Sequence, residues 1–303
     1  MEEYYKIVAF ILAGILGVCV GSFLNVVIYR VPLGMSLAKP DSHCPNCKYK
    51  LKWSDNIPVL SYLFLGGKCR NCKQRISFRY PAVELFNMLA WLGSVWLFWD
   101  TSIPFTVITA LTSTLLICVF FIDLDHMLVF DRFVIMLLIL GGFAVFFDPY
   151  YNWLSHVIGG VAGFAVFYGV HALFYYGFKK DALGGGDIKL SGAVGLLLGW
   201  ERLLLSVVIA SLSASVVLVL LNRKNAETEP NDEAEITAQA DEIAEVTAKA
   251  ENSTDITEQA DEPTEGEALP GEYPFAPFLC SGFWIAMMFG AKIITWYISL
   301  FGI

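Results

Sequence analysis

Two aspartates stand where apolar stretches end, and each is placed to do proton chemistry. Asp187 closes the run Gly184-Gly185-Gly186-Asp187 just before an apolar segment, and Asp123 ends another one 64 residues earlier, in Phe121-Ile122-Asp123-Leu124-Asp125-His126. An ionisable group at the edge of hydrocarbon costs about 3 kcal/mol or more, so it is read first as functional, with a partner to be found. Two carboxyls that meet cannot both ionise easily. They share a proton, and the pair can then take one from water while giving one to a carbonyl oxygen. That chemistry is peptide hydrolysis, and the titration belongs to the pair. Three glycines give the backbone freedom to bring Asp187 close to another chain. The plainer alternatives are that Asp187 is a helix-start residue favoured by the helix dipole, and that Asp123, Asp125 and Asp131 simply face water.

A second constellation is Cys44-Pro45-Asn46-Cys47 and Cys69-Arg70-Asn71-Cys72, two Cys-x2-Cys pairs with 21 residues between them. Thiolates at this spacing on two short knuckles close a tetrahedron around Zn2+, and the metal supplies folding free energy that a small loop lacks. Four thiolates leave no open position, so the site is structural rather than catalytic. Two disulfides are the alternative; a reducing compartment favours metal. Cys19, Cys118 and Cys280 lie singly in or beside apolar stretches and read as small hydrophobes.

The elements that must position these groups are membrane helices. The chain has 303 residues, of which 56% are hydrophobic and 15% aromatic, with mean hydropathy +0.58, above an ordinary soluble domain. Eight candidate spans are read, at 7–29, 82–99, 104–122, 133–147, 153–178, 188–199, 202–221 and 279–301, the fourth and sixth short for a crossing. The start, Met1-Glu2-Glu3-Tyr4-Tyr5-Lys6, is not a basic leader, so the first segment is expected to be a retained helix. The expected fold is an all-α polytopic membrane protein with a small zinc-binding loop domain.

Charge orients it. The net charge of −9 conceals residues 226–272, with 16 acids and one Lys; the remainder carries +6. Residues 30–80 hold ten of the 20 Lys and Arg and only Asp41 and Asp55 as acids. A basic loop between spans marks the cytoplasmic side and makes a nucleic-acid partner the weaker explanation. Counting spans from there puts the N-terminus outside and both featured aspartates on the cytoplasmic face.

The expected organisation is a first transmembrane helix over 1–29, a cytoplasmic zinc-binding loop domain over 30–80, a transmembrane core carrying both aspartates over 81–221, an acidic insertion over 222–277 and a last transmembrane helix over 278–303. The insertion repeats at ten residues, as in Glu235-Ile236-Thr237-Ala238-Gln239-Ala240-Asp241 and Glu245-Val246-Thr247-Ala248-Lys249-Ala250-Glu251. Its composition cannot bury enough apolar surface to offset ordering, so a disordered or partly helical solvated segment is expected.

Several stretches taken together resemble the type IV prepilin leader peptidases, a family of membrane aspartic proteases. They are Gly21-Ser22-Phe23-Leu24-Asn25-Val26-Val27-Ile28-Tyr29-Arg30, the cysteine tetrad with Asn56-Ile57-Pro58 inside it, Ile76-Ser77-Phe78-Arg79-Tyr80-Pro81-Ala82-Val83-Glu84, Asp123 with the loop after it, and Gly184-Gly185-Gly186-Asp187-Ile188-Lys189-Leu190. By position, the resemblance implies that Asp123 and Asp187 are the catalytic pair and that Cys44, Cys47, Cys69 and Cys72 hold zinc. It also implies a bacterial inner-membrane enzyme that removes the basic leader of prepilins or pseudopilins after a glycine on the cytoplasmic side. Members with the tetrad also methylate the new N-terminal amine, typically of phenylalanine, with S-adenosylmethionine. The chain shows no glycine-rich nucleotide fingerprint on a strand. Glu84, Arg79 and the loop 30–80 are candidates for the methyl donor by location alone, and a helix-start charge is the alternative for Glu84. One departure stands out: where the family has Leu-Pro-Asp, this chain has Val129-Phe130-Asp131, and loss of the proline is expected to alter the loop. A Gly-x-Gly-Asp protease of other membrane substrates without methylation, an ion- or proton-coupled transporter, and a metal-stabilised scaffold without catalysis are the competing classes.

Overall fold

A computed structural model describes residues 1–179, 184–228 and 274–300. The long helices are α1 Glu2–Arg30, α3 Arg79–Phe98, α4 Ile103–His126, α5 Asp131–Phe147, α6 Trp153–Phe178, α7 Gly185–Leu198, α8 Trp200–Thr228 and α9 Ala276–Ser299; a short α2, Leu60–Phe64, lies in the loop after α1. Each of the eight apolar segments coincides with a helix, and among the described residues the only β pairing is two isolated bridges. Among the described residues, six helices are long and apolar enough to cross a membrane. The exceptions are α5 and α7, with 17 and 14 residues. At 1.5 Å per residue α7 is only about 21 Å long.

The edges of the acidic segment move. α8 runs past residue 221 to Thr228 and α9 begins at Ala276, inside the range expected to be insertion. Adding residues to a formed helix is far easier than starting one, so the polar tail of α8 continues the helix. The expectation for 229–273 lies outside the described residues.

The bundle is apolar outside as well as inside. α4 is the central helix: its Leu116, Cys118, Val119 and Ile122 belong to one buried core with Phe133 and Leu137 of α5, Leu190 and Val194 of α7, and Leu279 and Phe283 of α9. α6, at the periphery, exposes Val161, Phe164 and Val166. Backbone groups satisfied inside helices, with an apolar outer surface, are what hydrocarbon demands.

Close approach between helices fixes the packing. A Cβ on Gly21 of α1 would lie 2.8 Å from the Cα of Glu84 on α3, so only glycine lets these two helices meet. Hydrogen bonds tie the same region: Asn87 donates to the Gly17 carbonyl at 2.7 Å, Thr114 to Asn87 at 2.8 Å, and Trp91 to Thr114 at 2.9 Å.

Alternating helix directions sort the loops to two ends. At one end lie the loop 31–78, the C-terminus of α4 and the N-termini of α3, α5 and α7. Arg79–Asp125 and Lys189–Asp131 pair there. At the other end Ser102 caps α4, accepting from the Phe105 N–H at 3.3 Å. There too a buried cluster joins Arg202 of α8 to Asp148 and stacks it over Tyr151, with His156 at 3.5 Å from Asp148.

Candidate active site

α4 brings Asp123 to the first of these ends and α7 brings Asp187. Asp123 is in the last turn of α4, which stops where Met127 turns left-handed at φ 52° and its N–H bonds the Asp123 carbonyl at 2.8 Å. Asp187 is in the first turn of α7. Both are buried, at 5% and 9% exposure, and the charge of Asp123 reaches Asp187. The two residues that sequence reasoning paired are therefore brought together. Asp123 Oδ2 is buried with no hydrogen-bond partner among the described residues.

A third helix completes the pocket. The backbone N–H of Ala276, at the start of α9, interacts with the Asp123 carboxyl. One turn further along α9, the buried Cys280 lies within electrostatic reach of both aspartates. Hydropathy locates this helix as the span 279–301 but not its place at the site, and Cys280 reads there as a small hydrophobe. Nothing local in a residue 157 positions from Asp123 points to it, and only the packing of α9 on α4 does.

The loop between α4 and α5 sets how Asp187 is presented. A Cβ on Gly186 would lie 2.7 Å from the Val129 Cβ, whereas one on Gly185 would meet nothing within 4 Å. Of the three glycines it is Gly186 whose lack of a side chain lets α7 dock on the loop. Phe130 holds φ −77° and ψ 133°, angles that a proline also adopts. The backbone here is thus one that a proline could also take, and the Phe130 ring lies 6.5 Å from that of Phe133. Lys189 and Asp131 then pair at 2.7 Å, tying α7 to α5.

The two side chains considered for a methyl donor are engaged elsewhere. Arg79 makes a two-pronged contact with Asp125 at 2.8 and 2.6 Å, bonds the Phe121 carbonyl at 3.3 Å and covers the Phe121 ring at 4.7 Å. It thus clamps the turn that carries Asp123. Buried Glu84 accepts the Val59 N–H at 2.7 Å. Val59 is strained: at φ 59° it centres a γ-turn in which Leu60 N–H bonds the Pro58 carbonyl at 2.5 Å, a conformation costing on the order of 1–3 kcal/mol for a β-branched residue.

The four cysteines converge as expected. Their sulfurs all lie within 4.8 Å of one another, with Cys44 to Cys72 at 3.9 Å and Cys47 to Cys69 at 4.0 Å. Thiolates about 2.3 Å from one zinc ion stand roughly 3.8 Å apart in a tetrahedron, so the set could hold such a metal. The two knuckles are copies. Lys48 and Lys73 turn left-handed at φ 56° and 59°, and the N–H groups of Cys44 and Cys69 bond the carbonyls of Tyr49 and Gln74 at 2.9 and 2.8 Å. Each also serves the other: Asn46 donates to Cys72 Sγ at 3.9 Å and Asn71 to Cys47 Sγ at 3.6 Å. The Tyr49 backbone N–H and the Asn71 amide pull the Cys47 thiol down to about 6, and the Cys72 and Asn71 backbone N–H groups lower Cys69. Such donors favour thiolate, the form that binds metal. These asparagines were not singled out, yet the repeat Cys-x-Asn-Cys-Lys at 44–48 and 69–73 is the signal that marks them.

Comparison with known proteins points to one family. The Bacterial Peptidase A24 N-terminal domain matches residues 15–98 and the Type IV leader peptidase family matches residues 110–219. A Myxococcus xanthus protein named prepilin leader peptidase/N-methyltransferase is 37% identical over 72% of this chain and 65% of its own length. Proteins of the same name from Pectobacterium carotovorum subsp. carotovorum and Pseudomonas aeruginosa are 36% and 31% identical, with 81% and 95% of their lengths covered. No solved structure matches. On the strength of these matches, the chain belongs to the type IV leader peptidase family.

Proposed function

We propose that this protein is the membrane aspartic endopeptidase that removes the leader peptide of type IV prepilins or pseudopilins, and that it then methylates the new N-terminus. The observation that carries the peptidase reading is the buried pair Asp123 and Asp187 at the same end of an apolar bundle, with Asp187 within reach of the charge of Asp123. A substrate with a charged leader on a hydrophobic helix has its cleavage point at the membrane edge, where these carboxyls sit. One carboxylate takes a proton from water, the water oxygen attacks the scissile carbonyl, and the other carboxyl gives its proton to the carbonyl oxygen. The Oδ2 of Asp123, buried and unpartnered among the described residues, is a suitable acceptor for that water. Ala276 N–H and the α7 N-terminus keep the carboxyls in place by favouring negative charge. A transporter needs neither both acids at one end nor the four-thiol loop.

Cys44, Cys47, Cys69 and Cys72 are assigned to structural Zn2+, which closes the loop domain and takes no part in the reaction. Methylation with S-adenosylmethionine is inferred from what the relatives are named. Arg79 and Glu84 are both satisfied internally and do not fit as donor-recognition groups, so no step is assigned to them. The remaining assignments follow from charge: a bacterial inner-membrane protein, N-terminus outside, with the loop domain 30–80 and the catalytic end of the peptidase core 81–221 in the cytoplasm. Incubating the purified protein with a prepilin, with and without S-adenosylmethionine, and weighing the product by mass spectrometry tests both activities. A mature N-terminus gaining one methyl group only with the donor is expected; an intact prepilin contradicts the assignment.

A further inference from the structure

The strained turn at Val59 reaches down to the level of the membrane helices. Glu84, which accepts the Val59 N–H at 2.7 Å, is five residues into α3, about 8 Å from its start. Gly21 of α1 meets the same residue, since a Cβ there would lie 2.8 Å from the Glu84 Cα. Gly21 stands nine residues before the end of α1 at Arg30, about 14 Å along the axis. α1 is about 43 Å long against a hydrocarbon layer of about 30 Å, so even with all of the excess at this end Gly21 is at the edge of the layer. The Glu84 side chain leans back toward the start of α3. Val59 therefore sits at the boundary between acyl chains and headgroups, not above it.

What surrounds Val59 suits that depth. α2 turns Leu63 and Phe64 outward, 67% and 86% exposed, and Trp53 before the turn is 84% exposed. The backbone is already satisfied, as irregular backbone at membrane depth must be. Ser61 and Leu63 N–H groups bond the carbonyls of Ile57 and Val59 at 3.0 and 3.1 Å, and those of Gly66 and Gly67 bond Leu63 and Tyr62 at 3.1 and 2.9 Å. Tyr62 ties the segment to the start of α3, its ring 6.4 Å from that of Phe78 and its hydroxyl donating to the Ile76 carbonyl at 3.5 Å.

Charge names the lipid. Ten Lys and Arg against two acids leave residues 30–80 at +8, and a zinc ion on four thiolates would take off about two. Both acids are already paired, Asp41 with Lys50 and Asp55 with Arg70. Exposed Lys52 precedes Trp53, and exposed Lys68 follows Phe64 by four residues. Apolar and aromatic anchors flanked by lysines fit a membrane surface that carries anionic headgroups.

We infer that residues 57–64, with Trp53, form a re-entrant foot of the loop domain, seated in the leaflet on that side, and that Lys52 and Lys68 hold anionic phospholipid there. The inference needs the membrane placement of α1 and α3 and not the peptidase assignment.

The test uses the full chain in nanodiscs of phosphatidylcholine with and without phosphatidylglycerol. A fluorescent amino acid at position 64 is expected to lose most of its emission to a lipid spin-labelled near the headgroup and little to iodide in the water. A photo-crosslinking residue at 64 should capture phosphatidylglycerol about fivefold or more above its share of the mixture, one lysine near an anionic surface being worth about a factor of five. Lys52→Gln with Lys68→Gln should bring capture back to that share, with zinc content unchanged. Emission quenched by iodide and spared by the labelled lipid overturns the foot, as does capture of a prepilin or of a second copy of the enzyme at 64 in place of lipid. Lipid capture without headgroup preference, or a preference that survives loss of both lysines, overturns their assignment to anionic phospholipid.

Discussion

Gly186 touches Val129 so closely that a Cβ built on the glycine would lie 2.7 Å from the Val129 Cβ. Gly186→Ala must push the start of α7 away from the loop that follows Asp123. A displacement near 1 Å can cost about 100-fold in rate when it separates reacting groups. The variant should insert normally and lose roughly 10- to 100-fold in kcat for prepilin cleavage. Gly142→Ala on α5, where a Cβ meets nothing within 4 Å, is the matched control and should cleave like wild type.

Metal removal should act on the loop before it acts on the bundle. Cys72→Ser, or a strong chelator, is expected to empty the site and expose residues 40–75 to protease while α4, α7 and α9 stay folded. Asn71→Ala removes the amide from Cys47 and should weaken metal affinity about tenfold, as loss of a group supporting a ligand does. Chelator competition with elemental analysis measures both; unchanged zinc in Cys72→Ser would remove that cysteine from the site.

The loop also has a pH signature. Burial works against a charged Asp55, but Arg70 at 2.7 Å and the Lys52 N–H at 3.3 Å together hold its carboxyl below the ordinary range. With the folded value below the unfolded one of about 3.9, the stabilisation is complete above that value and is lost as pH falls through the folded one. Asp55→Asn should weaken the loop by about 1–3 kcal/mol at neutral pH, with the gap to wild type closing towards acid. Limited proteolysis of the loop across pH reads this out.

At the opposite end, Arg202 and Asp148 are paired with almost no solvent access. Arg202→Met leaves a buried carboxylate without its cation and should cost about 3–5 kcal/mol. Adding Asp148→Asn should recover much of that loss, since the uncompensated charge is then gone. Thermal unfolding of the single and double variants in detergent decides it.

Much of this architecture was legible as hydropathy. Eight apolar stretches became eight helices, and the two helices between Asp123 and Asp187, α5 and α6, run in opposite directions and so return the chain to the same end. The cysteines were legible because metal spacing is a local rule. What stayed hidden depends on packing between distant segments. Ala276 and Cys280 reach the carboxyl pair only because α9 lies on α4. The two-pronged grip of Arg79 on Asp125 spans 46 residues and has no signature in either neighbourhood.

The account stands on Asp123 and Asp187 acting as one unit. The direct measurement is the rate of leader removal from a prepilin by Asp123→Asn, Asp187→Asn and the double variant, with zinc content and thermal stability recorded for each. Each single variant should fall by at least about 100-fold while remaining folded and metal-loaded, and the double variant should be hardly worse than either single one. Cleavage near the wild-type rate in a folded single variant would contradict the shared role of the pair.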